Sequence, residues 1–416
     1  MLRRPREGQC LEPRQLAAID CFGSADKRPA PARLDLDEDV PASVSPDQVD
    51  LAVARPGVAG DDPHTAGLEL ARDPLFALGT EEPARIRHEG DVGGDLPRRG
   101  GLTDTATVGT EIRAFTAADV DGAARVLAER HAGHRAVEPL LPAVDDFRAH
   151  VVRELSADGA SGAVSLRGGE IDGYVIGKRQ EDPIGPHVRI DMAGSASREP
   201  ERMRDLYAAA AQVWVDAGLT RHFAFVPAID DLVAPWHRLS FGTSAALAAR
   251  TAEPQDAAPS DVTVRRSTPD DLRDAAGLDR LLYLHLESAP SFSGLRVEDL
   301  DWFVDDWRTT WDDPKFTHFI AERAGRPVGH LLLYRRPAGD LRVPDASIDL
   351  ADAATLPEVR GSGVGLALTA FAIEWARANG YRTIITDWRM TNLAASRFWP
   401  ARGFRPTFYR LYRSIP

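Results

Sequence analysis

Leu356-Pro357-Glu358-Val359-Arg360-Gly361-Ser362-Gly363-Val364-Gly365-Leu366 stands between a strand-like run, Ser347–Leu356, and a helix-like run, Gly365–Asn379. Three glycines alternate in it, so the backbone can take up positive φ and come close to a ligand without a Cβ in the way. Their amides, with the unpaired N–H groups of the first helical turn, form a concave donor surface suited to an anion such as a pyrophosphate. A Walker loop would end in Gly-Lys-Ser/Thr, and this stretch has no lysine. A dinucleotide fingerprint would need a third glycine where Leu368 stands. A tight strand–helix turn that needs glycine for geometry alone is the other reading of these residues taken by themselves.

The flanks place the loop in a mixed fold. Phe316–Glu322 and Pro327–Arg335 read as strands paired around Gly325. Thr383–Trp388 reads as a strand, Leu393–Arg402 as a helix, and Phe404–Tyr412 as a final strand. Sheet-forming segments interrupted by crossover helices give an α/β architecture, an α+β mixed sheet.

Upstream, the pattern has already occurred once. Ile112-Arg113 followed by Thr116-Ala117-Ala118-Asp119 matches Val264-Arg265 followed by Thr268-Pro269-Asp270-Asp271, each a short strand and then a capped helix start. Trp214 to Gly218 echoes Trp375 to Gly380, and Ser240-Phe241-Gly242 echoes Arg402-Gly403-Phe404. A repeat this long is a whole domain rather than a solenoid unit. The expected organisation is an N-terminal extension over 1–108, a first domain over 109–252, a linker over 253–261 and a second domain over 262–416.

Composition bounds the rest. The chain has 416 residues with 50 Lys+Arg against 63 Asp+Glu, a formal charge of −13, which speaks against a nucleic-acid binder. No apolar run reaches the ~20 residues of a membrane span, and the start lacks the apolar stretch of a signal peptide, so a cytoplasmic protein is expected. Cys10 and Cys21 are the only cysteines, which excludes disulfides, cysteine-based zinc and a cysteine nucleophile downstream. His131 and His134 offer two ligands with no third nearby, so no metal is expected. All eight Trp and all seven Tyr lie beyond residue 170, and the first 105 residues hold 11 of the 30 prolines. A segment so poor in large apolar groups cannot offset an ordering cost of about 1–2 kcal/mol per residue, so disorder is expected there. Val108 is a candidate for the native start.

With these elements in hand, the second copy resembles the GCN5-related N-acetyltransferase (GNAT) family. The Arg/Gln-x-x-Gly-x-Gly/Ala hallmark is matched by Arg360, Gly363 and Gly365, followed by Asn392 after the next strand, an amphipathic helix, and Gly403-Phe404 at the last strand. The resemblance covers roughly 262–416 and implies two tandem GNAT-like domains, each a mostly antiparallel, splayed sheet flanked by helices. It also implies acetyl-CoA as co-substrate, its pyrophosphate on the amides of Gly361, Ser362, Gly363, Val364 and Gly365 with help from Arg360, its pantetheine along the strand ending at Leu356, and a contact from Asn392. The first copy carries Ala193-Gly194-Ser195-Ala196-Ser197-Arg198-Glu199-Pro200-Glu201 at the matching place. Pro200 removes an amide donor and the glutamates repel an anion, so that copy is expected to be degenerate.

Acetyl transfer to an amine needs a proton acceptor, an oxyanion donor and a tolerated thiolate. Asp387 is the first candidate base, at the position where the family's ribosomal-protein acetyltransferases carry a glutamate. Asp352, with Asp349 behind it, is the second. Trp399 stands where the family often has a tyrosine acid, and an indole N–H supplies no proton at neutral pH. Tyr409 or Tyr412 could take that place, or no acid is needed. Trp302 and Asp306, in a helix over Asp299–Asp313 rich in Trp and Asp, are candidate walls of a cleft for a cationic amine, with Trp399 opposite; an amphipathic helix with Trp in the core is the plainer reading. The expected activity is acetylation of a primary amine on a small molecule or peptide; the alternative is a non-catalytic acyl-CoA-binding or interaction module. The acceptor and the oligomeric state cannot be read from these residues.

Overall fold

The computed structural model describes residues 110–182, 185–254, 261–293 and 297–416. The extension expected over 1–108 and residues 255–260 of the expected linker lie outside the described residues.

In chain order the first copy comprises β1 (Thr110–Ala114), α1 (Val120–Val137), α2 (Phe147–Leu155), β2 (Ser161–Arg167), β3 (Glu170–Asp182), β4 (Gly185–Ile190), β5 (Ser195–Ser197), α3 (Arg202–Asp216), β6 (Arg221–Pro227), α4 (Asp230–Arg238) and β7 (Gly242–Thr251). The second comprises β8 (Thr263–Arg266), α5 (Leu272–Glu287), α6 (Leu300–Thr310), β9 (Phe316–Arg323), β10 (Arg326–Tyr334), β11 (Ser347–Thr355), α7 (Val364–Ala378), β12 (Thr383–Arg389), α8 (Leu393–Phe398) and β13 (Arg405–Ser414).

Both copies start by the same device. Arg113 binds Asp119 at 2.8 and 2.6 Å, and the Thr116 amide and hydroxyl donate to the same carboxylate, each at 2.8 Å. Arg265 binds Asp271 at 2.7 and 2.8 Å, with the Thr268 amide and hydroxyl at 2.7 and 2.9 Å. The cap turns the chain from strand into helix, and the arginine fixes the turn to the strand before it. The helix expected to run to Arg402 stops at Phe398. Pro400 has no N–H to continue it, and a 3₁₀ turn over Pro400–Arg402 leads into Gly403 at φ +80°.

Among the described residues the strands form a 13-stranded mixed sheet in the order β1-β2-β3-β4-β6-β13-β7-β12-β11-β10-β9-β8, with β5 paired to β3. Each half holds one parallel pair, β4 with β6 and β11 with β12; the other pairings are antiparallel. Helices flank the sheet, and buried residues form separate clusters around α1, α3 and α7.

Order in space departs from order in sequence at one point. β13, the last strand of the chain, lies between β6 and β7 of the first copy, from Phe408↔Pro227 to Ser414↔Arg221 on one edge. β7 in turn pairs with β12, from Thr383↔Thr251 to Arg389↔Ala245. Each half of the sheet is thus closed by a strand from the other copy. Phe408 is buried beside Phe225 and Leu247, whereas Ala246 and Ala248 of β7 pack into the cluster under α7.

Candidate active site

A β-bulge prepares the site. Leu332 and Leu333 of β10 face Asp352 and Leu350, so Ala351 is an extra residue in β11 and bends that strand. The parallel pairing of β11 with β12 covers only Ser347↔Thr383 to Asp349↔Ile385. The Thr386 hydroxyl then donates to the Leu350 carbonyl at 2.9 Å. Beyond it the strands part, β11 staying with β10 to Thr355 and β12 with β7 to Arg389. The wedge opens into a cavity of about 560 Å³ lined by α5, β11, the glycine loop, β12 and α8.

The glycine loop enters through a 3₁₀ turn at Pro357–Val359. Gly361 (φ +76°) and Gly363 (φ +90°) both sit in the left-handed region, which is what the sequence required of them. Helix α7 starts at Val364, and the first turn of a helix has no intrahelical acceptors for its N–H groups. Arg360, Gly361, Gly363 and Gly365 line the cavity. Ser362 is used differently from expectation. Its amide and hydroxyl go to the Val359 carbonyl at 3.2 and 2.6 Å, and Arg323 donates to its hydroxyl and carbonyl at 2.9 and 3.2 Å. The residue braces the loop instead of offering its amide. Val364 and Leu356 pack into the core cluster beneath.

Asn392 caps α8: its Oδ1 accepts from the Ala395 amide at 3.1 Å and lies 3.2 Å from Nε2 of His285. The capping role leaves the side chain at the cavity wall, where Asp387, Arg389, Trp399 and Arg402 also stand. Trp399 is buried edge-on against Phe398 and Phe404. Arg360, Arg389 and Arg402 bring positive charge to the wall of a chain that is acidic as a whole. Tyr409 and Tyr412, by contrast, are not among the lining residues; the Tyr412 ring lies tilted against Phe223.

Trp302 and Asp306, expected on the acceptor wall, do not line the cavity. Helix α6 packs behind α5, with Phe303, Val304 and Trp307 buried and Trp302 41% exposed. The inner wall comes from α5 through Leu281, Leu282, His285 and Leu286. Sequence reasoning missed these residues because the strong Trp/Asp pattern lay on the next helix. Asp352 does line the cavity, and behind it Asp279 and His330 are buried; one polar atom from each of the three lies within 4.8 Å of the others. Asp349 is buried in an ion pair with Arg336.

At the corresponding place in the first copy the hollow is filled. β4 and β6 part after Ile190↔Ala224, but β5 folds back onto β3 and the Arg130 guanidinium inserts to bind the Met192 and Ser195 carbonyls. Arg198 pairs with Glu129, Glu199 with Arg167, and Glu201 with Arg238.

Residues 279–404 match the model of the acetyltransferase (GNAT) family. Among solved structures it is similar to a GCN5-related N-acetyltransferase from Sphaerobacter thermophilus, at 15% identity over 73% of this chain and 95% of that one, with a TM-score of 0.46. A tandem GNAT protein from the clavulanic acid biosynthesis pathway is 13% identical over 73% and 97%, with a TM-score of 0.40. A GCN5-related N-acetyltransferase from Kribbella flavida is 13% identical over 71% and 95%, with a TM-score of 0.35. No curated protein matches the chain. No helix among the described residues is long and apolar enough to cross a membrane.

Proposed function

We propose that the protein is a cytoplasmic, acetyl-CoA-dependent N-acetyltransferase with one working cofactor site, in the second copy, and a first copy that shapes the molecule without binding the cofactor. The observation that carries this reading is the wedge between β11 and β12, ending in a glycine loop whose positive-φ residues face the cavity. The donor set fits the group: amides at a helix N-terminus and Arg360 suit a pyrophosphate. The open edge of β11 beyond the bulge suits the amide-bearing pantetheine as an added strand.

Acetyl-CoA supplies the thioester. The chain supplies position, dryness and a proton acceptor. Gly361, Gly363, Gly365 and Arg360 hold the phosphate end, with Val364 and Ser362 supporting the loop from below and behind. Asn392 fixes α8 and Trp399 closes the cavity floor. Leu281, Leu282 and Leu286 exclude water from the reacting end. Asp387 or Asp352 takes the proton that an incoming primary ammonium of a small molecule or peptide must lose. No side-chain acid is required, since a thiolate with a conjugate pKa near 8.5 leaves readily.

A second reading, an acyl-CoA-binding module without turnover, is favoured by Trp399, which cannot donate a proton at the place of a tyrosine. Thiol release from acetyl-CoA over a panel of primary amines separates the two. Amine-dependent release supports the transferase; CoA binding with no release on any amine supports the module.

A further inference from the structure

Three side chains from distant parts of the chain meet under the cavity wall. Asp279 comes from α5, His330 from β10 and Asp352 from β11, and one oxygen or nitrogen of each lies within 4.8 Å of the other two. All three are buried: His330 completely, Asp279 to 5% exposure and Asp352 to 7%. Polar groups at this depth normally have their hydrogen bonds made, because a polar atom taken from water without a partner costs free energy. Asp279 takes one bond from the Trp307 indole N–H, which reaches its Oδ2 at 2.8 Å, and shares another with the Asp352 carboxyl. Its Oδ1 has no hydrogen-bond partner among the described residues, and neither has Nδ1 or Nε2 of His330. A carboxyl oxygen and an imidazole, both hidden from water, thus bring unused lone pairs to a second carboxyl.

The residue types decide what such a set holds. A substrate ammonium is too bulky to reach His330, which has no exposed surface. A bare cation is small enough, and Asp352, at the cavity wall, gives it a way in. Two carboxylates and one imidazole are a mixed oxygen–nitrogen set. Imidazole suits zinc and its neighbours in the first transition row, whereas magnesium and calcium take oxygen ligands. Burial keeps the His330 ring neutral, which leaves its lone pair free to bind a metal at neutral pH. A divalent ion between two carboxylates and a neutral ring gives a site with no net charge, which suits its depth. Ligand atoms ~2.1 Å from a zinc ion stand roughly 3.4 Å from one another, so small rotations of the three side chains close the set. Trp307 acts from outside it. The indole N–H orients Asp279 through Oδ2 and leaves Oδ1 unbonded, and the indole ring packs on His330 with centroids 5.3 Å apart.

We infer that Asp279, His330 and Asp352 form a binding site for one divalent transition-metal ion, zinc foremost, reached from the cavity past Asp352. The ion ties α5 to β10 and β11 beneath the cavity wall, three elements that are distant in the sequence and carry no ligand spacing between them. The site stands on its own observations and does not need the acyl-transfer reading. Where both hold, Asp352 is engaged as a ligand, and Asp387 is left as the proton acceptor for the amine.

The test uses the full chain, stripped with a chelator and then equilibrated with zinc. Elemental analysis after gel filtration should find about one zinc per chain in the wild type and in Asp387→Asn, a change on the cavity wall outside the set. Asp279→Asn and His330→Phe, which roughly keep the side-chain volume, should each bind zinc at least about tenfold more weakly, and Trp307→Phe, which loses only the outer hydrogen bond, about 10- to 100-fold more weakly. Zinc should raise the melting temperature of the wild type and leave those of Asp279→Asn and His330→Phe unmoved. X-ray absorption at the zinc edge of the wild type should show one imidazole and two carboxylate ligands, a readout that needs no variant to fold. A wild-type protein that retains no zinc overturns the site. So does zinc held equally by folded Asp279→Asn and His330→Phe, which puts the ion elsewhere on the chain. An infrared band of a buried, protonated carboxyl in the zinc-equilibrated wild type, lost in Asp279→Asn, puts a proton in the place of the cation and overturns it as well. Thiol release from acetyl-CoA is read separately, so failure of the transferase reading and failure of the metal site are told apart.

Discussion

Gly363→Ala tests the phosphate cradle with one methyl group. Gly363 sits at φ +90° and ψ −2° immediately before α7, a conformation that an L-residue with a Cβ adopts at a cost of roughly 1–2 kcal/mol. The loop is exposed and hangs from the core by Leu356 and Val364, so the strain is relieved by moving the loop, not by unfolding the domain. Shifting the loop takes the Gly361, Gly363 and Gly365 backbone out of register with the start of the helix. Since 1.4 kcal/mol is tenfold, CoA binding should weaken by about 5- to 30-fold. The larger change Gly363→Glu also sets a negative charge against the pyrophosphate and should abolish measurable binding. The assay is calorimetric titration with CoA, with pantetheine as a control that lacks the phosphates. Pantetheine affinity should be nearly unchanged in Gly363→Ala, and the melting temperature should fall little. Unchanged CoA affinity, or an equal loss for CoA and pantetheine, would refute the cradle.

Three further outcomes are expected. Arg323→Ala removes two hydrogen bonds that hold Ser362, each contributing about 0.5–1.5 kcal/mol, and should weaken CoA binding several-fold by calorimetry with no new contact to the ligand lost. Ending the chain before Arg405 removes β13, which bonds to strands on both sides and buries Phe408 and Leu411 completely; circular dichroism and gel filtration should report loss of the folded first copy as well as the second. Asp271 is pulled down from 3.8 to about 2, first by its hydrogen bond to Arg265. Its contribution, on the order of 1–2 kcal/mol after allowing for solvent at Arg265, is present above pH 3.8 and lost as pH falls toward 2. Denaturant titrations of Asp271→Asn should show lower stability at neutral pH and a flatter decline over that acid range; a parallel decline would contradict the assignment.

Local chemistry made much of this molecule legible before any fold was seen. The alternating glycines of 361–365 declared positive φ because only glycine takes it cheaply, and the structure has Gly361 and Gly363 there. The two Thr-x-x-Asp caps declared two helix starts, because a cap is made within four residues. Periodicity gave the strands and helices of the second copy to within a few residues, apart from the helix end, which Pro400 moved. What escaped was set by contacts between distant segments. β7 and β13 read as ordinary last strands, and nothing in either says that the two trade places, because the partner of a strand is chosen by the sheet edges available to it. The tryptophans of α6 looked like a binding wall because the sequence records polarity but not which helix lies in front. Asp279, 73 residues from Asp352 along the chain, carries no local signal at all. A lone aspartate in a helix reads as solvated, and only the packing of α5 against β11 brings it to a second carboxylate in the dark of the core. Residue type and near-neighbour spacing settled what each segment could form; the sheet order and the depth of each side chain, which depend on the whole packed chain, settled which groups meet.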